Sequence, residues 1–318
     1  MQKVFDAAQA AGGALPWEDY IRICLYEPKL GYYAADRRRV GGDGADFYTA
    51  ASLKGKIFSE LMAESAKNIL ARARKDMKIF DVAEIGAEPN SQMFEKSEVF
   101  RLGDDIKIPP RCALFSNELL DARPFSRFKF QNGEWSEGFV KLEKAAGGFS
   151  AREIFAPAES RAEILEKYFP RAKVEGFRLD VSFDALKMFD AICAQNWRGV
   201  LIFADYFRSA DELSTMPAGT ARTYRSHHDG SDLLENAGTA DITFSPCADM
   251  FEDIARARGF RVVRVERQEK FFMENAEDKI RETVLLKDPF NPRKRELCHL
   301  LSPAHMGAVF GILAAQRL

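Results

Sequence analysis

The chain has 318 residues, 46% of them hydrophobic and 30% charged, with a net charge of −2 and a pI of about 6.2. That composition excludes a disordered chain and offers no global positive field for nucleic acid. No uncharged apolar run approaches the roughly 18 residues of a membrane span, and an N-terminus with Lys3 before its alanines and Asp6 among them makes a poor signal peptide.

In chain order, Pro16 opens "PWEDYIRICLY", where proline suits the first turn of a helix. Tyr20, Ile21, Cys24 and Leu25 then share one face, and Pro28 and Gly31 end the helix. "GYYAADRRRVGGDGADFYTAASL" reads as a long loop, of the kind that often carries function. Its Arg37-Arg38-Arg39 run is a solvated face or a phosphate or partner contact. Ser52 is placed to cap a helix reaching Arg74.

Short apolar strands follow. "KIFDVAEIG" is one, running into Gly86. Ala113-Leu114-Phe115 is another, and "SEVFRLGDD" can supply one between them. "FSRFKF" and "EGFVKL" flank Gln131-Asn132-Gly133-Glu134, a hairpin signal because Asn-Gly tolerates the positive φ of the turn. "ESRAEILEKYF" and "SFDALKMFDAICAQNW" read as helices, and "RGVLIFADYF" as a buried strand. "MFEDIARARGF" is a helix stopped by Gly259, followed by the strand "FRVVRVE". The tail "SPAHMGAVFGILAAQ" reads as a helix capped by Ser302.

Strands alternating with helices predict a doubly wound parallel sheet. Ligands bind such sheets at the carboxyl ends of the strands. At those ends stand Gly86, then Asn117-Glu118 with Asp121 one helical turn on, then Asp205-Tyr206. The carboxylates suit gripping a cation or acting as a base, or capping the next helix. The five cysteines (Cys24, Cys112, Cys193, Cys247, Cys298) are scattered without a C-x-x-C pair. This argues against a disulfide framework or a zinc site and for a reducing, cytoplasmic setting. The histidines lack H-E-x-x-H spacing, and no metal is expected.

"LYEPKLGYY", "DFYTA", "EIGA", "SNELLDARPF", "FADY", "GTARTYRSHHDGSDLLENAGTADIT" and "LLSPAHMGAVF" occur in this order. Together they resemble the MidA family of S-adenosylmethionine-dependent methyltransferases, relatives of a mitochondrial complex I assembly factor that methylates arginine on a protein subunit. The resemblance implies an α/β class I methyltransferase (Rossmann-like) core with added helices and a β-hairpin insertion. It implies N-terminal helices and an active-site loop in 1–75, the core in 76–265 with the insertion at about 123–178, and C-terminal helices in 266–318. It also implies S-adenosylmethionine as cofactor and a protein arginine as acceptor.

Carried over by motif, Glu118, Asp121 and Asp205 take catalytic roles. Thr49, Glu84, Gly86, Ala87 and Asn117 take the cofactor, with Asp104 as a stand-in outside the motifs, and Tyr32, Tyr33, Asp46, Tyr206, Arg225 and His228 take the substrate. No nucleic acid or membrane partner is expected, and the oligomeric state is left open.

The chain departs from the family pattern. Glu88 replaces the second glycine of the cofactor loop, Pro89 removes a further N–H, Ala45 replaces a glycine, and Phe207 stands where a glycine follows Asp-Tyr. Only 31 positions separate Gly86 from Asn117, whereas one βαβ unit takes roughly 30 residues or more. One strand-helix unit is therefore expected to be missing, with Val99–Leu102 pairing directly beside the Glu84 strand and Asp104 or Asp105 standing in for the family's ribose-binding acid. A catalytically inactive methyltransferase-fold protein that binds or assembles partners is the alternative reading. A dinucleotide oxidoreductase has little support, because one glycine is a weak pyrophosphate signature.

Overall fold

The computed structural model describes residues 2–34, 50–52, 56–73, 81–87, 91–145, 148–225, 228–235 and 237–318. It divides into two compact units. The first comprises Met1–Arg37, Leu120–Lys187 and Arg208–Met250, the second Arg38–Leu119, Met188–Phe207 and Phe251–Leu318.

The second unit is built on a six-stranded sheet ordered Arg261–Arg267, Gly311–Arg317, Arg198–Asp205, Arg111–Asn117, Asp81–Ile85, Glu98–Phe100. The last four strands are parallel. Gly311–Arg317 runs antiparallel to both its neighbours, so the sheet is mixed. Every residue from Gly199 to Asp205 is buried, which is why that strand is an unbroken apolar run rather than an alternating one. The helix Ile57–Ala73 lays Ile57, Leu61, Met62 and Ile69 into the same core as Phe115, Val200, Ile202 and Ile312.

The first unit carries a five-stranded antiparallel sheet. Ala14–Pro16, Glu134–Ala145, Ser126–Gln131 and Arg178–Val181 lie in that order, and Gly148–Pro157 pairs on Glu134–Ala145. Its hairpin turns at Asn132 (φ 54°) and Gly133 (φ 82°), the two positive angles that the Asn-Gly pair foretells. A separate three-stranded sheet orders His228–Gly230, Arg222–Arg225 and Asp241–Thr243. Pro16 immediately precedes the helix Trp17–Tyr26, whose Trp17, Tyr20, Ile21, Cys24 and Leu25 are buried as the periodicity predicts.

The expected pairing beside the Glu84 strand occurs, but over a shorter span. Glu98–Phe100 pairs with Ala83–Ile85, and the chain turns away at Arg101. Two readings are corrected. Ala50–Ser52 is a short 3-10 turn, and the long helix begins at Ile57, later than expected from Ser52. The tail is not one helix: Ser302 ends the helix Pro292–Leu301, only Met306–Val309 is helical beyond it, and Gly311–Arg317 is a sheet strand. A continuous apolar run has no period to distinguish a buried strand from a buried helix.

Gly199 closes the pairing of the two central strands. Its φ is +140°, and a Cβ there would lie 1.9 Å from the carbonyl oxygen of Cys112, its partner across the ladder. Gly199→Ala is expected to destabilise the protein by about 3 kcal/mol or more, read as a fall in the denaturant midpoint. An unchanged midpoint would show that this ladder is not tightly held.

Candidate functional site

In the second unit three strand ends converge. Asp205, 1% exposed, ends its strand and accepts hydrogen bonds from the N–H groups of Leu119 (3.2 Å) and Tyr206 (2.8 Å). Leu119 reaches the other way, to Gly86. A Cβ on Gly86 would lie 2.7 Å from Leu119 Cδ1, and Gly86 has φ +81°. The Gly86 N–H donates to the Phe100 carbonyl (2.9 Å), which ties the glycine turn to the end of the short strand. One carboxylate and one leucine thus bring the ends of the Glu84, Asn117 and Asp205 strands together.

Glu118 lies between these contacts with φ +51°. A non-glycine residue in the left-handed region is strained, and such strain persists only where surrounding contacts over-determine it. Here the Glu118 N–H donates to the Ala204 carbonyl (3.0 Å) and the next N–H is held by Asp205. Asn117 donates from Nδ2 to the Glu118 carboxylate (2.9 Å). Its Oδ1 is buried, with no hydrogen-bond partner among the described residues. That atom is an acceptor awaiting a donor, and it suits an ammonium or amine N–H.

Tyr206 packs on Phe310, ring centroids 4.5 Å apart. Phe207 fits where the family pattern has glycine because Gly311 opposite has no side chain: a Cβ there would meet Phe207 Cβ at 2.8 Å.

Two cofactor candidates are engaged by their own surroundings. Glu84 is fully buried, and its carboxylate accepts from the N–H groups of Met93 (2.7 Å) and Phe94 (3.0 Å) and from the Ser97 hydroxyl. It therefore holds the 93–97 loop in place instead of presenting a free carboxylate. Asp104 is exposed, and its carboxylate accepts from the Arg101 N–H (2.7 Å), closing the turn that contains Gly103. Ala87 follows Gly86, half-buried. Thr49, Asp46 and the Glu88-Pro89 substitution lie outside the described residues.

In the first unit, Tyr33 donates to both carboxylate oxygens of Asp241, each at 3.1 Å. Tyr26 stacks on Tyr33 with centroids 5.4 Å apart, and its hydroxyl donates to the Ala122 carbonyl (2.8 Å). Burial first, then the Asp241 charge, holds the Tyr33 phenol well above its ordinary pKa, so it stays a neutral donor. Asp121 is buried and its carbonyl accepts from the Phe244 N–H (3.2 Å).

Tyr32 is 0% exposed, its ring edge-on to Tyr33. Arg225 and His228 are exposed and stand opposite one another in the pairing of Arg222–Arg225 with His228–Gly230. Sequence reasoning passed over Leu119, Ser97 and Tyr26. Leu119 and Ser97 act through a backbone N–H and a loop hydroxyl, which leave no residue-type signal. Tyr26 is the last residue of its helix, outside the buried face that the periodicity picks out.

Two solved structures share this fold. One is a superfamily member from Burkholderia thailandensis solved with S-adenosyl-homocysteine: it is 22% identical, with a TM-score of 0.82 over 99% of this chain and 91% of that one. The other is a native structure of an uncharacterized protein of the same superfamily and organism, 21% identical with a TM-score of 0.78 over the same shares. No curated protein matches the chain. The model of the family described as "Putative S-adenosyl-L-methionine-dependent methyltransferase" matches residues 58–265, more than half of the chain, and the chain belongs to that family.

Proposed function

We propose that this protein binds S-adenosylmethionine at the carboxyl edge of the parallel strands of its second unit and transfers the methyl group to a nitrogen of a protein arginine, as the MidA-like motifs imply. The observation that carries this reading is the convergence of Gly86, Glu118 and Asp205 on Leu119, with Glu118 held at φ +51°. Evolution retains such strain mainly at functional positions. Family membership and the S-adenosyl-homocysteine in a structural neighbour support the cofactor.

The residues present fit that cofactor at two points. Gly86 turns with positive φ beside the strand end, and the buried Asn117 Oδ1 accepts a hydrogen from an amino group. When bound, the cofactor supplies an electrophilic methyl group on a sulfonium. The protein's part is to position the acceptor. The Glu118 carboxylate pairs with a guanidinium and aims one nitrogen. Asp205 keeps Glu118 in place through the Leu119 N–H. By resemblance Asp121 is assigned a catalytic role, and Tyr33 and the exposed Arg225 and His228 are assigned to the substrate.

A second reading, a methyltransferase fold kept as a binding module, is favoured by one pair of observations: Glu84 spends its carboxylate on the 93–97 loop and Asp104 spends its own on a turn. The absent strand-helix unit points the same way.

Calorimetric titration separates the two. Binding of S-adenosylmethionine and S-adenosyl-homocysteine in the micromolar range is expected, and no heat up to about 1 mM, where the binding free energy falls to about −4 kcal/mol, would leave only the binding module. Glu118→Gln is expected to cut methyl transfer to arginine-bearing peptides by about 100-fold with nearly unchanged cofactor affinity. Glu118→Gly, which relieves the positive φ, is expected to abolish transfer while leaving stability equal or up to about 1 kcal/mol higher. A clear loss of stability in that variant would mean Glu118 is structural.

A further inference from the structure

We propose that the loop joining the helices Glu277–Val284 and Pro292–Leu301 is a membrane-surface anchor that inserts Leu285 and Phe290 into a bilayer with anionic headgroups. Phe290 is 82% exposed and Leu285 72%, the two most exposed large hydrophobic side chains among the described residues, and Val284 beside them is 56% exposed. Three such side chains within seven positions form a patch, unlike the single exposed apolar residues found on any protein surface.

Charge selects the occupant. Residues 284–295 carry four cations and one anion in a chain whose net charge is −2. Arg293 is taken by the Glu60 carboxylate, with which it makes two hydrogen bonds of 2.8 and 2.6 Å. No ion pair among the described residues ties up Lys287, Lys294 or Arg295. Apolar side chains at a tip with cations around it match an anionic lipid surface. A second copy of the chain fits less well, because a two-fold contact through this loop would bring the same cations face to face.

The backbone is also prepared to leave water. Leu285 N–H bonds the Arg281 carbonyl, Leu286 N–H the Thr283 carbonyl, and Asn291 N–H the Asp288 carbonyl. The Asp288 side chain takes the Phe290 N–H (2.9 Å), and the Asn291 side chain takes the Arg293 N–H (3.0 Å). Pro289 and Pro292 have no N–H to satisfy. Pairing these donors internally lowers the cost of bringing that part of the tip against lipid. Buried Thr283, Leu297 and Leu300 on the flanking helices, with the Arg293–Glu60 pair, hold it to the body of the unit. The absence of a spanning segment, on which a membrane partner was discounted, does not bear on a peripheral loop.

The test is co-sedimentation of the full chain with phosphatidylserine–phosphatidylcholine vesicles against phosphatidylcholine alone. Salt-sensitive binding to the anionic vesicles is expected, reduced about tenfold or more in Lys287→Ala/Lys294→Ala/Arg295→Ala and lost in Leu285→Ser/Phe290→Ser. Val174→Ser, which alters a lone exposed valine of the other unit, leaves binding intact. Phe290→Trp provides a direct readout, since all three native tryptophans are buried, and its emission shifts to the blue on anionic vesicles only.

Absence of vesicle binding, an unshifted Phe290→Trp spectrum, or equal loss in Val174→Ser overturns the proposal. Capture by polyglutamate without vesicle binding overturns it in favour of an acidic protein. Dimerisation abolished by Phe290→Ser overturns it in favour of self-association.

Discussion

The second unit depends on one buried carboxylate. Asp205, at the end of the central strand, accepts the Leu119 and Tyr206 N–H groups and so fixes two chain segments just where the sheet stops. A buried charge is tolerable when backbone donors satisfy it, and costly when they do not. Glu118 can therefore be held at an unfavourable φ, and the Leu119 side chain can be pressed onto Gly86. A shift in Asp205 would be felt at the ends of three strands.

A second constraint organises the short path between Gly86 and Asn117. Among its described residues, backbone outside helix and strand is fastened by side chains. Glu84 holds Met93, Phe94 and Ser97, and Phe94 packs on Phe115 with ring centroids 4.7 Å apart. Gln195 accepts from the Ile108 N–H and donates to the Ile106 carbonyl, at 2.9 and 3.0 Å. Backbone groups that lose their helical partners must find others, and here two polar side chains supply them. On this short path the Glu84 carboxylate supports the 93–97 loop.

The first unit uses neutral donors to the same end. Tyr33, stacked on Tyr26, donates to Asp241, and the raised phenol pKa keeps Tyr33 a donor at any physiological pH. Nearby, Asp184 is shared by Arg22 and Arg123, the latter lying over the Tyr26 ring with its guanidinium carbon 6.0 Å from the centroid. These contacts join residues far apart in sequence, so no local pattern announces them.

The sequence by itself determined the strands that carry the strand-end residues, the Asn132-Gly133 hairpin and the face of the Trp17–Tyr26 helix, because turn chemistry and periodicity are local properties. Its motifs, in order, also determined the family. Tertiary structure alone decided that the apolar tail enters the sheet as Gly311–Arg317, since a residue run buried on every side has no readable period. Only the fold decided that Tyr32 is core and that Glu118 is strained. Burial and backbone angle are set by what packs around a residue, and for Glu118 the partners that hold it are distant in the chain.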